Sequence, residues 1–550
     1  MPQYYQIQEF LGIEQQKDSS LLPAGSAYDA RNIDASDGNM RVANGFVRHI
    51  SESIPNNDKI LKLLVSRGSD PRFYVVAANN IYAYDSGSWQ SIYTFASALT
   101  TTQIDYLQTR IGLKDFIIVA TGESRMVKID IASNTATEFG TGLYSFEGEV
   151  NAYNAQIRNV TLNAVLSDEA IRHAVTDGII IGGVLYEVAT AVGVTVVLKD
   201  TPEVEPTVGA TATIRGGGSD SPCNFIDMYY SRLFAAGDPN NPCRLYWSAV
   251  VGDGRSIEDW MIVDGSADAS GGYVEVGEAS GDPIVGIVVL SSQILIFKRY
   301  SVYRLYGDRP STYTLERVEN ASRPMSNSGA VVKYDTPFYL TMDGISYYDG
   351  TGVLPMNNGI RFLRRFLSTV SSVADSKAVH CDNKLYFTCR VNPEESSDDS
   401  IIVYDIGRGA FMIRDGFSVS DICVFDGHIY MVNENRYVYE FDVGDSYDGE
   451  PIYAYWRTQP TDLGFKHATK HVKEMMFRGV DGVVNVTVRA GNNRAYARRQ
   501  IFGSADDGFT SVQFRVDKAR VFEFLFENEA GGGFGIDGGI DVLWEKENKP

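Results

Sequence analysis

The chain has 550 residues, 44% of them hydrophobic and 22% charged, with 52 Gly, 32 Tyr, 27 Phe and a formal charge of −21. This length allows a large buried core and about two to four domains. The charge argues against a protein that binds nucleic acid by neutralising phosphates, but it is compatible with a wall along which DNA slides. Abundant Gly and aromatic residues without long helical patterns predict an all-β protein of short strands and tight turns.

The cysteines and the start of the chain bear on where the protein folds. The five cysteines have no CxxC pair among them, and they are Cys223, Cys243, Cys381, Cys389 and Cys423. An odd number at irregular spacing is poor evidence for disulfides and indicates a reducing compartment. The first residues, MPQYYQIQEF, show neither a basic region nor an apolar run, so no signal peptide is expected.

One pattern recurs along the chain: an apolar strand, a turn rich in Asn, Asp or Gly, and an aromatic-rich strand. Typical examples are "NIYAYD", "SVYRLYGD", "GISYYDG" and "YVYEFD". Repeated units of this kind bury their faces against their neighbours, which predicts a β-propeller of six or seven blades. The seven copies are residues 71–93, 115–139, 231–250, 280–308, 330–356, 378–416 and 420–445.

The fourth copy contains the most apolar passage of the sequence. A membrane-spanning helix needs about 20 mostly apolar residues. Here Asp282 stands at one end, Lys298 and Arg299 at the other, and Ser-Ser-Gln at 291–293 divides the run. We therefore interpret the passage as strands joined by a turn, with a further strand at 312–318, and not as a membrane span.

Residues 140–222 interrupt the repeat. They contain a strand-like "RNVTLNAVL", a possible short helix that begins after Ser167, and hairpin signals at Gly182-Gly183 and Gly193. We interpret this stretch as a small inserted β domain.

The last part of the chain changes character after Trp456. The last 90 or so residues predict about five to seven strands and a sandwich. Earlier in the chain, residues 357–372 follow an i, i+3, i+4 apolar stripe and predict an amphipathic helix. The expected divisions are 1–139 (N-terminal segment and first blades), 140–222 (insert), 223–456 (remaining blades) and 457–550 (sandwich).

The sequence offers no convincing catalytic, cofactor or metal site. HExxH, GxSxG and GxxxxGK[ST] are absent, and so is the Asp-box of sialidase-type propellers. "GFGIDG" (533–538) matches GxGxxG, but too few residues follow for a dinucleotide fold, so it reads as a turn. The acidic turns 34–39 and 442–450 lack the EF-hand phase, and His467 and His471 have no third ligand nearby.

Three basic clusters stand out against the acidic whole, and basic patches on an acidic chain favour self-assembly into a ring. We predict them as subunit contacts. Their members are Arg361, Arg364 and Arg365; Lys466, Lys470 and Lys473; and Arg494, Arg498 and Arg499.

Three segments resemble the virion β-propeller proteins of tailed bacteriophages, the group of tail nozzle, hub and DNA-stabilisation proteins. They are residues 32–50, 232–260 and 274–308. The matching motifs include Arg244-Leu245-Tyr246-Trp247-Ser248, Gly252-Asp253, Asp259-Trp260, Gly281-Asp282-Pro283-Ile284-Val285-Gly286, Ile296-Phe297-Lys298-Arg299 and Ser301-Val302-Tyr303. Residues 455–477 are similar to the passage from propeller to sandwich in such proteins, whereas 140–222 have no counterpart.

The resemblance implies a structural subunit of a phage tail and no enzyme. It implies a homo-oligomeric ring, expected to hold about six copies, on the DNA path below the portal and adaptor. There the ring would retain packaged DNA and conduct it on ejection, without sequence-specific binding and without a membrane span. It also implies synthesis in the host cytoplasm and location in the virion tail.

The alternative is a propeller that binds or cleaves glycans, at a phage tail tip or free. Trp89, Tyr347 and Tyr348 could stack on sugars, although such residues are more often packed between blades. A glycosidase also needs two carboxylates across a pocket, which 70 acidic residues leave open.

Overall fold

The computed structural model describes residues 3–15, 22–68, 71–139, 144–167, 170, 171, 174, 175, 178–216, 222–251, 256–260, 268–277, 281–318, 330–333, 336–341, 344–356, 363–373, 375–491, 495–503 and 508–547. The chain divides into two compact units. One comprises Met1–Val65, Asp85–Trp89 and Ser328–Pro550, and the other Ser66–Tyr84 and Gln90–Asn327.

The N-terminal segment contains five short strands that do not pair as one sheet. They are β1 (Gln3–Ile7), β2 (Ala27–Arg31), β3 (Ile33–Asp34), β4 (Met40–Val42) and β5 (Phe46–Arg48). Each joins a sheet whose other strands come from much later in the chain, except that β3 and β4 also pair with each other.

Two four-stranded antiparallel sheets follow, in which the strands pair in sequence order. The first consists of β6 (Ile60–Val65), β7 (Phe73–Ala77), β8 (Asn80–Asp85) and β9 (Ser88–Thr94). The second consists of β10 (Asp105–Ile111), β11 (Lys114–Ala120), β12 (Val127–Asp130) and β13 (Thr135–Glu138).

The inserted region forms a nearly closed barrel. Its strands are β14 (Tyr144–Asn154), β15 (Asn159–Leu162), β16 (Ile179–Ile181), β17 (Val184–Tyr186), β18 (Val188–Val192), β19 (Thr195–Leu198) and β20 (Thr211–Gly216). Their order is β17-β16-β20-β14-β15-β19-β18, and only Glu187 separates β17 from β18. Because the first part of that continuous run pairs with β16 and the second part with β19, the two ends of the sheet are brought together and the sheet is nearly closed.

The barrel has a hydrophobic core of its own. Val160, Ile179, Val196 and Ile214 are among the fully buried side chains of this core. The first and last described residues, Tyr144 and Gly216, are paired neighbours, so the chain enters and leaves the barrel at adjacent points. Of the expected short helix, Ala170, Ile171, Ala174 and Val175 are helical and the Ser167 hydroxyl accepts from the Ala170 N–H at 3.1 Å; 168, 169, 172, 173, 176 and 177 lie outside the described residues.

Five further sheets complete the repeat. Their strands are β21 (Phe225–Tyr229), β22 (Arg232–Ala236), β23 (Arg244–Trp247) and β24 (Gly272–Glu275); β25 (Ile284–Val289), β26 (Gln293–Lys298), β27 (Val302–Tyr306) and β28 (Thr314–Val318); β29 (Ala330–Lys333), β30 (Thr336–Thr341), β31 (Gly344–Tyr348) and β32 (Val353–Pro355); β33 (Ala378–Cys381), β34 (Lys384–Cys389), β35 (Asp398–Asp405) and β36 (Ala410–Val419); and β37 (Asp421–Phe425), β38 (His428–Val432) and β39 (Val438–Phe441). A 3-10 turn, Pro310–Thr312, precedes β28.

The last of these sheets takes its fourth strand from the N-terminal segment. Phe46–Arg48 pairs antiparallel with β39, and Phe46 stacks on Tyr447 with ring centroids 5.1 Å apart. Two short strands, β40 (Ser446–Tyr447) and β41 (Glu450–Pro451), extend this sheet beyond β5.

The first strands of successive sheets lie side by side, as β10, β21 and β25 do and as β29, β33, β37 and β6 do. Apolar side chains fill the space between adjacent sheets: Phe234 and Leu245 pack with Ile287 and Ile296 of the next sheet. This arrangement is a β-propeller, and the described residues form seven blades. The prediction of an all-β propeller is confirmed, and the passage 280–308 forms β25 to β27 with its first turn at Ser291-Ser292. No helix among the described residues is long and apolar enough to cross a membrane.

The C-terminal part is a sandwich of two sheets. Its strands are β42 (Tyr455–Thr458), β43 (Lys470–Arg478), β44 (Val480–Ala490), β45 (Ala495–Phe502), β46 (Phe509–Gln513), β47 (Phe522–Asn528), β48 (Phe534–Ile536) and β49 (Ile540–Lys546). One sheet has the order β1-β49-β43-β46, and the other the order β2-β42-β47-β44-β48-β4-β3, with β45 paired to β44. Phe477 of the first sheet and Phe526 of the second meet with ring centroids 6.3 Å apart.

Two expectations for this half of the chain need correction. The amphipathic stripe at 357–372 predicted one long helix, but 357–362 lie outside the described residues and only Arg364–Leu367 is helical. The chain leaves the helix because Ser371 donates its N–H to the Arg390 carbonyl at 2.8 Å. "GFGIDG" is also more than a turn, since Phe534–Ile536 pairs with both β4 and β44.

Candidate functional site

The first basic cluster is held against the N-terminal segment. Arg361 lies outside the described residues, and Arg364 belongs to the short helix. The N–H of Arg365 donates to Gln15 Oε1 at 2.9 Å, and its guanidinium carbon lies 4.9 Å from the centroid of the Tyr28 ring. A cation over an aromatic face is a packing interaction, so Arg365 helps to fix the helix on β2.

The second cluster does not present three surface charges as predicted. Lys466 is exposed, and Lys473 is half exposed and pairs with Glu545 at 3.2 Å. Lys470 is fully buried, which corrects its assignment to a surface contact. Because Lys470 begins a strand whose side chains alternate, its ammonium turns inward and donates to the carbonyls of Phe465 and Ala468 at 2.6 and 2.9 Å. Burial lowers the pKa of Lys470.

The third cluster lies on β45, at the edge of the larger sandwich sheet. Arg494 lies outside the described residues. Arg498 pairs with Glu527 at 3.1 Å, whereas the exposed Arg499 donates to the carbonyl of Arg498 at 2.9 Å. Between this cluster and β2 the same sheet carries a bidentate Arg457–Glu523 pair at 2.9 Å, to which Arg489 adds a contact at 3.0 Å.

The structure therefore does not bring the three clusters to one site. It does place the second cluster, at 466–473, next to basic residues that are distant in sequence. The N–H of Glu547 donates to the Thr469 carbonyl at 3.0 Å, and Lys470 exchanges backbone hydrogen bonds with Ala519. Lys518 reaches Glu547 at 2.6 Å. We call this surface the basic end of the sandwich; its exposed or half-exposed cations are Lys466, Lys473, Arg515, Lys518, Arg520 and Lys546.

The sequence patterns did not predict that aspartate side chains on the first strands of blades form hydrogen bonds to the next blade. Asp105, at the start of β10, accepts from the Ile226 N–H of β21 at 3.1 Å. Asp227 of β21 accepts from the Val289 N–H of β25 at 3.1 Å. Each of these two carboxylates also accepts from the N–H of its own following residue. An aspartate directly after isoleucine in the first strand of a blade was the available signal, since a carboxylate that is removed from water needs hydrogen-bond donors.

A third inner-strand aspartate links the blades of the other unit. The carboxylate of Asp421 accepts from the Leu63 N–H at 2.7 Å and from the Lys62 ammonium at 3.3 Å. Burial lowers the pKa of the neighbouring Lys377 to about 8, with Lys62 adding to the effect. Burial raises the pKa of Asp227 to about 6, against the opposing N–H donors.

The motif residues of 232–260 and 274–308 form hydrogen bonds within their blades and, at Lys298, to the preceding blade. The buried Arg232 guanidinium donates to the Ser248 and Ser270 carbonyls at 2.7 Å each, and also to the Asp268 carbonyl. The Lys298 ammonium is buried and donates to the Val276 carbonyl at 2.6 Å. Asp282 accepts from the Ser301 hydroxyl at 2.7 Å.

The aromatic residues considered for sugar stacking are packed. Trp89 is 8% exposed and its indole N–H donates to the Glu52 carbonyl at 3.0 Å; Tyr348 is fully buried, and Tyr347 stacks on Phe338. All five cysteines are buried free thiols. Within the described part of the chain no group of three or more His, Cys, Asp or Glu is placed to hold a metal ion.

No protein-family model and no curated protein matches the chain. Among solved structures, the computationally designed Ika8 protein is similar over 72% of this chain and 99% of its own, at 10% identity and a TM-score of 0.36. BamB from Moraxella catarrhalis is similar over 72% and 97%, at 10% identity and a TM-score of 0.34. The Pan2 WD40 domain of Neurospora crassa is similar over 74% and 96%, at 7% identity and a TM-score of 0.34.

Proposed function

We propose that this protein is a structural subunit of a bacteriophage tail. It forms a homo-oligomeric ring on the DNA path below the portal and adaptor, retains packaged DNA and conducts it on ejection. The proposal starts from the likeness of residues 32–50, 232–260 and 274–308 to virion propellers of this kind.

The proposal is supported by the hydrogen bonds and ion pairs that the polar side chains of these segments form with the rest of the fold. Their charged side chains bond to the scaffold: Arg232 to three carbonyls, Lys298 to one, and Arg244 to Glu275 at 2.8 Å. Asn32 bonds to Asp415 and Tyr453 from the N-terminal segment. Polar groups engaged in this way supply rigidity, which a ring under the pressure of packaged DNA requires, and they leave few free for chemistry on a substrate.

The distribution of charge supports the same function. Residues 457–550 contain 14 Lys and Arg against 13 Asp and Glu, a net charge of +1, so the rest of the chain carries −22. An acidic wall repels DNA phosphates and lets the duplex slide, and a nearly neutral sandwich can approach an acidic neighbour.

The test is the assembly state of the full-length recombinant protein, measured by native mass spectrometry and electron microscopy. We expect a closed ring of about six copies with a central opening wide enough for a duplex. We also expect no saturable binding of duplex DNA at about physiological salt. A monomer under every salt condition contradicts the ring, and hydrolysis or tight binding of a polysaccharide favours a glycan-directed propeller instead.

A further inference from the structure

The basic end of the sandwich carries cations that form no ion pair with any described residue. Lys473 and Lys518 pair with Glu545 and Glu547. In the part of the chain that the structure describes, the remaining members lie within ion-pair distance of no carboxylate. They are Lys466, Arg515, Arg520 and Lys546. Phe465, 45% exposed, stands beside them with its ring 5.0 Å from that of Trp544.

The inserted barrel has the complementary chemistry. Residues 140–222 contain ten Asp and Glu against four Lys and Arg. Asp200, Glu203 and Glu205 are exposed and form no ion pair with any described residue, and Val204 between them is 57% exposed. We call residues 200–205 the acidic loop.

The barrel also exposes more aliphatic surface than its size requires. Eight of the 22 large hydrophobic side chains that are exposed among the described residues belong to it. They are Ile157, Val165, Val175, Val184, Leu185, Val192, Val204 and Val208. Val204 lies within the acidic loop itself, and exposed apolar surface next to charged residues is typical of a site that binds another protein.

We propose that the acidic loop of one copy docks on the basic end of the next copy, so that the barrel and the sandwich form the two halves of a head-to-tail subunit contact. The partner is a second copy of this chain because the chain supplies both charges on different surfaces. A contact between two different surfaces of identical subunits is heterologous, and repetition of it gives a ring when the rotation between subunits closes and an open filament when it does not. The inference rests on the proposed ring and assigns a role to the inserted barrel within it.

The deciding experiment reverses the charge of the basic end in full-length protein. In Lys466→Glu with Arg520→Glu, we expect self-association at low salt to weaken by at least about tenfold, because opposite charges become like charges. The matched control is Lys59→Glu with Arg309→Glu, which changes the net charge equally at exposed positions elsewhere and leaves association unchanged. Native mass spectrometry gives the assembly state, and circular dichroism melting verifies that both variants are folded.

A charge swap then tests the pairing itself. Adding Glu203→Lys and Glu205→Lys to the reversed basic end restores association, whereas the same two changes alone weaken it. An unaffected ring in the reversed variant overturns the docking inference and leaves the ring intact. A wild-type protein that never associates overturns the ring and this inference together. A third outcome is that wild type binds duplex DNA saturably and the charge-reversed variant does not, while both still form the ring. This result would assign the basic end to the binding of phosphates, and it would also overturn the docking.

Discussion

Two regions lie outside the propeller repeat, and they are built in opposite ways. The inserted barrel is nearly closed, has a core of its own and enters and leaves at neighbouring residues. The C-terminal sandwich is incomplete without the N-terminal segment, which supplies β1 to one of its sheets and β2, β3 and β4 to the other. A nearly closed barrel leaves little free sheet edge, whereas the sandwich sheets are open and the N-terminal strands extend them.

A boundary in the sequence and a boundary in the structure therefore need not agree. The barrel is one continuous stretch of chain, but no cut near residue 456 isolates the sandwich, because β1 to β4 belong to its sheets. Gln6 of β1 donates to Asp541 of β49 across 535 positions, and Trp456 packs edge-on against Phe10 with ring centroids 5.4 Å apart.

The largest effect is expected from removing residues 1–48. This truncation deletes four sandwich strands and the closing strand of the seventh blade, and it opens sheet edges in both. We expect no soluble folded protein, measured as yield after size-exclusion chromatography. A soluble truncated protein that melts cooperatively would contradict the claim that the sandwich is incomplete without the N-terminal segment.

Asn32→Ala should have the next largest effect. The Asn32 amide donates to the carbonyl and the carboxylate of Asp415 and to the Tyr453 carbonyl, and its oxygen accepts from the Tyr447 hydroxyl and the Asp415 N–H. Loss of these buried hydrogen bonds should lower the free energy of unfolding by about 3 kcal/mol, measured by urea denaturation.

The matched change in the barrel is Asn163→Ala. The exposed Asn163 accepts a single bond, from the Glu149 N–H at 2.9 Å, so a cost below about 1 kcal/mol is expected. Equal losses in the free energy of unfolding for Asn32→Ala and Asn163→Ala would contradict the expectation that the N-terminal segment is held by stronger hydrogen bonding than the barrel surface.

Asp34→Asn should have a smaller and pH-dependent effect. Burial alone would raise the pKa of Asp34, but Arg414, Lys384 and the Ser36 N–H together hold that pKa well below its usual range. A depressed carboxylate pKa stabilises the fold above the unfolded-state pKa and ceases to do so as pH falls through the folded one. We expect a cost of about 1–2 kcal/mol at neutral pH that narrows below about pH 4.

Urea denaturation at several pH values measures this effect, with Asp200→Asn as the control. The Asp200 carboxylate is exposed and forms no ion pair among the described residues, so its loss should cost under about 0.5 kcal/mol at every pH. If the difference in the free energy of unfolding between wild type and Asp34→Asn were the same at neutral pH and below about pH 4, the ion pairs of Asp34 would not explain its effect.

The smallest effect on stability is expected from replacing residues 144–216 by a short Gly/Ser linker. Because Tyr144 and Gly216 are paired neighbours, the linker joins ends that are already adjacent. We expect the melting temperature of the remaining protein to change by less than about 3 °C. A cooperative loss of the whole fold would show that the barrel is structurally integrated as the sandwich is.

The sequence was informative where the pattern is local. All seven recurring segments correspond to blades, because alternating strands and their turns lie within a few dozen residues. The first strands of three blades, β6, β10 and β21, did not belong to the recognised segments. One reason is visible at the turn after β21, where Tyr230 and Ser231 both adopt positive φ of 42° and 59°, a conformation that favours Gly or Asn.

The long-range pairings and the state of individual side chains could not be predicted. Nothing local in "QYYQI" indicates that β49 is its partner. In the candidate site, Lys470 resembled its neighbours Lys466 and Lys473 in sequence, yet strand alternation buries it. The convergence of 466–473 with 515–520 and 546 also depends on the sandwich fold, which periodicity does not specify.

The strands contributed by the N-terminal segment have a consequence for synthesis on the ribosome. β1 is synthesised roughly half a minute to two minutes before its partner β49 at ordinary elongation rates. Throughout that interval the nascent chain holds unpaired strands that can mispair with one another or with a neighbouring chain. A premature stop codon before position 540 therefore leaves β1 without its partner strand, however much of the propeller precedes it.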